Sequence, residues 1–151
     1  MTDREERLLN EAQRLVIEIW ENLGLRGLWE CTLRIQPQKE IENRSDEYWE
    51  TPAFVTAKEE YHSAHIYLHP DHFFEHDSDE LNTERLYQVL FHESLHLLIS
   101  PYHRLHAMAH SFCRTEQEHA AIDNVKYNAC ESTVTALERA FGFFRKVANE
   151  N

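Results

Sequence analysis

The stretch Phe91-His92-Glu93-Ser94-Leu95-His96-Leu97-Leu98 places the strongest constraint on how this chain folds. Two imidazoles four residues apart share a face only if the stretch is an α-helix, where four residues make about one turn and both rings can reach one metal ion. Glu93 is their neighbour on the same helical wheel. Ser94 and Leu95 are uncharged and apolar residues flank the motif, which describes a helix buried beneath a site rather than a solvated one.

The rest of the chain reads as elements able to cover such a helix. From Thr2 to Leu23, Leu8, Leu9, Ala12, Leu15, Val16, Ile19, Trp20 and Leu23 recur at helical spacing, ending near Gly24. Trp29, Cys31, Leu33 and Ile35 then alternate with polar residues, the two-residue period of a strand that Pro37 stops. The polar segment to about Glu50 is a connection. Ala53 to Ala57 and Ala64 to Leu68 read as two further strands around a charged turn at Lys58-Glu59-Glu60, giving a small, mostly antiparallel sheet. Pro70-Asp71 closes it. The acidic stretch Glu75 to Glu80 leads into a helix starting between Asp77 and Thr83, which carries Leu86, Val89, Leu90 and the histidines and ends at Ser100-Pro101. Residues 101 to 114 read as a short helix or an irregular crossing. From Thr115 a long helix resumes, with Ala120, Val125, Cys130, Val134, Leu137, Phe141 and Phe144 as its apolar stripe. The fold class is α+β in a single domain, residues 1–151: an N-terminal helix, a small sheet, the HExxH helix and a long C-terminal helix.

Composition narrows the function. A net charge of −12 argues against a nucleic-acid binder, which needs a basic face for phosphates, and against an anionic membrane surface. The expected partner is a polypeptide substrate. Cys31, Cys113 and Cys130 are far apart and form no CxxC pair, so a reduced compartment is the simplest assumption. The opening Met1 to Arg7 lacks signal-peptide character, no apolar run approaches the length of a membrane span, and a cytoplasmic protein is expected.

His92, Glu93 and His96 in HExxH spacing resemble the zincin metallopeptidases. Leu90 to Leu98, followed by Ser100-Pro101 and later by Glu131-Ser132-Thr133-Val134, is similar in order to the small phage-associated and bacterial minimal metallopeptidases of the gluzincin type. The likeness spans roughly residues 29 to 141 in layout and is specific only at the helix. Ser94 departs from it, since many relatives have an apolar residue there. The resemblance implies one Zn²⁺ per chain, held by His92, His96 and a third protein ligand, with an open position for water. It implies hydrolysis of peptide bonds with Glu93 as general base.

The third ligand is the open point. In the HExxHxxGxxH branch a third His follows a glycine turn; here those positions are Ile99 and Tyr102, His103 falls one residue late, and no glycine lies between Gly27 and Gly142. The ligand is therefore expected from the last helix. Glu131 is favoured, because it borders the apolar stripe with Tyr127 and Val134 on the same side, where an inward carboxylate needs a partner. Glu116, Glu118, His119 and Asp123 are rivals. A gluzincin-like Glu from a later helix is compatible with Glu131 without singling it out.

Tyr127, His119 and Tyr102 are candidates to steady the oxyanion, and the strand Ala64 to Leu68 is a candidate free edge for an extended peptide. His62, His65, His69, His72 and His76 repeat at three and four residues, but Pro70 and the β-like alternation make this regularity accidental. If a helix forms after Pro101, His103, His106 and His110 share a face that suits an auxiliary metal site, with exposed histidines as the plainer reading. The alternative to a peptidase is a non-catalytic, metal-stabilised binding or regulatory protein on the same fold; metal-dependent RNA cleavage fits less well with the acidic charge.

Overall fold

The computed structural model describes residues 1–36, 51–58, 61–74 and 79–149, except for the side chains of residues 101–105, 107 and 143–149. The expected connection from Pro37 to Glu50, the turn residues Glu59 and Glu60, and the acidic residues 75–78 with His76 lie outside the described residues. The chain is α+β and divides into two compact units, Met1–Ser94 and Leu95–Asn151.

The first unit opens with α1, Asp3–Leu23. Thr2 and Glu5 form a reciprocal cap, Glu5 N–H donating to Thr2 Oγ1 at 3.3 Å and Thr2 N–H to the Glu5 carboxylate at 2.6 Å. Asp3, Glu5 and Glu6 place negative charge at the positive end of the helix dipole. Gly24 ends the helix with φ 69°, a left-handed conformation that glycine adopts without a Cβ penalty. Leu8, Ala12, Leu15, Val16, Ile19 and Trp20 form its buried face.

Three strands follow: β1 (Glu30–Ile35), β2 (Ala53–Lys58) and β3 (Ser63–Leu68), in the spatial order β1-β3-β2. β3 pairs parallel with β1 and antiparallel with β2, so the sheet is mixed and the mostly antiparallel arrangement expected from sequence is corrected. Alternation reports which side of a strand is covered, but not which strand lies beside it. The same order overturns the expectation that Ala64 to Leu68 offers a free edge: β3 is central, and both its edges are occupied. Ala64, Ile66 and Leu68 are its buried side, and α1 packs against β1. On the opposite side Phe54 and Tyr67 stack across the β2–β3 pair, ring centroids 4.6 Å apart.

A short 3₁₀ turn at Pro70–His72 leads away from the sheet. Beside it His69 is buried, with the His72 ring 5.0 Å away and Asp71 at 4.0 Å. Burial and the neighbouring His72 lower the His69 pKa below its ordinary value, outweighing Asp71. A buried imidazole held neutral contributes stability above its unfolded pKa of about 6.5, and that contribution is lost as pH falls toward the depressed folded value. Urea unfolding between pH 7.5 and 5 should therefore show stability falling with acid in the parent and falling less steeply in His69→Gln; equal slopes would exclude His69 as the group responsible.

Asn82 begins α2 (Thr83–Leu98), its side-chain oxygen accepting from Arg85 N–H at 2.9 Å. Leu86 and Leu90 are fully buried, and one turn on Ser94 is buried as well. The Ser94 hydroxyl accepts from the Trp20 indole N–H at 2.9 Å and donates to the Leu90 carbonyl at 2.7 Å. The residue that departs from the zincin pattern thus ties α2 to α1.

In the second unit, α3 (Pro101–Phe112) and α4 (Glu116–Asn149) pack against each other. Pro101 both ends α2 and occupies the first turn of α3, where its missing N–H is of no consequence. Of the two readings the sequence allows for residues 101 to 114, a short helix or an irregular crossing, the helix forms over Pro101–Phe112.

Candidate metal centre

Helical geometry puts His92 and His96 one turn apart on α2, and α4 supplies Glu131. His96 Nε2 lies 3.4 Å from Glu131 Oε1. His92, His96 and Glu131 each offer one ligand atom, and the three atoms all lie within 4.8 Å of one another. Bonds of about 2.0–2.1 Å to a tetrahedral ion place two ligand atoms roughly 3.3–3.4 Å apart, whereas an N–H···O hydrogen bond is about 2.9 Å. The 3.4 Å separation matches the former. All three residues are half-buried, and Glu93 between the histidines is buried.

Of the rivals for the third position, Glu118, His119 and Asp123 are engaged elsewhere. Glu118 accepts backbone N–H bonds from Arg114 at 2.7 Å and Thr115 at 3.0 Å, which hold its carboxyl below the usual range, and its own N–H donates to Thr115 Oγ1, so it is the reciprocal partner of Thr115 in the cap of α4. His119 Nδ1 meets His110 Nδ1 at 2.7 Å. Asp123 Oδ1 sits 2.8 Å from His106 Nε2 and 3.2 Å from His110 Nε2. Glu116 is exposed in the first turn of α4.

Two expectations about α4 need correction. Tyr127, expected to face inward beside Glu131, is 67% exposed, and Val125 of the expected apolar stripe is 69% exposed. Val134 is buried, Cys130 and Leu137 are half-buried, and Ala120 and Phe141 are exposed. Spacing identifies a shared helical face; whether a neighbour covers it depends on packing. Part of the face instead lines a cavity of about 530 Å³ with Ile99, His106, Ile122, Val125, Cys130 and Thr133 among its walls. Of the proposed oxyanion donors, Tyr127 is thus solvent-facing, His119 is bound to His110, and the Tyr102 side chain lies outside the described residues.

A second group, His106, His110 and Asp123, also offers three ligand atoms within 4.8 Å of one another. Partial desolvation raises the Asp123 pKa, but hydrogen bonds with His110 and His106 outweigh it and hold the carboxyl below its usual range. Asp123, a rival ligand for the first site by sequence, belongs to this second group instead. Its partners were signalled by the i, i+4 spacing of His106 and His110, the same spacing as His92 and His96. Of the other histidines, His65 lies on β3 and His62 occupies a turn with φ 48°, so the three-and-four repeat is no helical stripe.

Cys31, Cys113 and Cys130 are free thiols, and burial pushes the Cys31 pKa up to about 12, which keeps it protonated and unreactive. Among the described residues, no helix is long and apolar enough to cross a membrane. Comparison with protein-family models, with curated proteins and with solved structures returns no match.

Proposed function

We propose that this protein is a zinc-dependent peptidase in which His92, His96 and Glu131 hold the ion and Glu93 is the general base. The observation that carries this reading is the convergence of two imidazoles and one carboxylate within 4.8 Å, at a His96–Glu131 separation suited to tetrahedral coordination. The donor set fits zinc, which takes nitrogen and oxygen ligands and, with three from the protein, keeps one position open. When bound, zinc supplies Lewis acidity toward a carbonyl and a more acidic water.

The chain's own residues supply the rest. Glu93 takes the proton of the attacking water and passes it to the leaving amine, so that neither hydroxide nor an amide anion is released into solution. Glu93 is buried, which shields the proton it carries from exchange with solvent. With β3 in the middle of the sheet, an extended substrate that added as a strand would do so along β1 or β2.

The test is zinc-dependent cleavage of an unfolded protein by the purified chain. Chelation should abolish cleavage and added zinc restore it, and Glu131→Ala should weaken zinc binding by more than about 10-fold, the lower bound for losing even an outer-sphere partner. Cleavage that survives chelation, or zinc-loaded protein that cleaves no unfolded polypeptide, would overturn the proposal.

A further inference from the structure

The second unit repeats the arrangement of the candidate zinc site with different residues. His106 and His110 stand one turn apart on α3, as His92 and His96 do on α2, and a carboxylate on α4 meets them. Asp123 and Glu131 are eight residues apart on α4, about 2.2 turns, so the two carboxylates stand at successive levels of that helix, roughly 80° apart around it. We propose that His106, His110 and Asp123 form a second divalent transition-metal site, one that prefers a six-coordinate ion.

Three features support this. First, both histidines direct Nε2 at the same oxygen, Asp123 Oδ1, at 2.8 and 3.2 Å. These are hydrogen-bond distances, and they already gather the three ligand atoms within reach of one ion. Second, His110 Nδ1 lies 2.7 Å from His119 Nδ1. A histidine that binds a metal through Nε2 carries its proton on Nδ1 and donates it to an outer-sphere acceptor, and His119 is placed to accept it. His119 is therefore a positioning residue: it fixes the tautomer that leaves the His110 Nε2 lone pair for the ion. Third, Asp123 is 58% exposed, which leaves the solvent side open for water to complete the coordination shell.

Two imidazoles and one carboxylate select ions such as Co²⁺, Fe²⁺ or Ni²⁺ over Ca²⁺ or Mg²⁺, which require an oxygen shell. The net charge of −12 favours any cation's approach. An ion here would cross-link α3 to α4 and raise the metal content to two per chain, where the sequence suggests one.

The competing reading is a hydrogen-bond network in which both imidazoles donate to Asp123. Cobalt distinguishes the two, because tetrahedral Co²⁺ absorbs visible light intensely and six-coordinate Co²⁺ weakly. The full chain dialysed against Co²⁺ should retain two equivalents, and His106→Gln/Asp123→Asn should retain one and keep the intense band. In a His92→Gln/His96→Gln background one equivalent should remain, with only weak absorption and with broadened imidazole NMR signals from His106 and His110. His119→Phe should weaken that equivalent and leave the intense band of the parent unchanged. The proposal fails if His106→Gln/Asp123→Asn holds as much cobalt as the parent. Should that variant misfold, unbroadened His106 and His110 signals in the His92→Gln/His96→Gln protein overturn it equally.

Discussion

Glu93→Gln is expected to keep its zinc and lose nearly all cleavage of an unfolded protein, by roughly 10²–10⁴-fold, the usual contribution of a general base. Gln is nearly isosteric with Glu and preserves the buried volume on α2, but its amide cannot accept a proton from water. Because His92, His96 and Glu131 are untouched, metal content separates this variant from Glu131→Ala, where zinc binding itself weakens. Metal analysis and steady-state cleavage on the same preparation make the measurement. Undiminished turnover by Glu93→Gln would remove Glu93 from the mechanism, even if zinc were present at full occupancy.

Trp20→Ala carries the largest expected loss of stability, about 3–5 kcal/mol for emptying a buried aromatic site. Trp20 is 4% exposed, and its indole N–H ends on the buried Ser94 hydroxyl, so truncation removes both a large packed ring and a donor to the helix that carries the histidines. Trp20→Phe separates these effects. It keeps most of the ring and loses the donor, while Ser94 can still donate to the Leu90 carbonyl, so a lost hydrogen bond of about 1 kcal/mol should dominate. Urea unfolding followed by circular dichroism gives both values. A cost below about 1 kcal/mol for Trp20→Ala, at the low end of single-substitution effects, would show that the α1–α2 contact contributes little.

The stop at Gly24, the alternation of β1 and the apolar setting of the motif helix are all legible in sequence, because each is a local preference written within a few residues. Ser94 shows where local reading ends. In sequence it is a polar interruption in an apolar run, and its meaning appears only when Trp20, 74 residues earlier, supplies the donor.

What the sequence by itself determined was the α+β class, the order of elements and the one-turn spacing of His92 and His96, since backbone periodicity fixes which residues share a face. Only the tertiary structure decided that β3 is central and parallel to β1, that Glu118 is the reciprocal partner of Thr115 in a helix cap, that Tyr127 faces solvent, and that Glu131 and Asp123 each meet a different pair of histidines. The reason is physical: periodicity constrains one element at a time, whereas the partner of a strand edge or a carboxylate depends on how elements distant in sequence pack together.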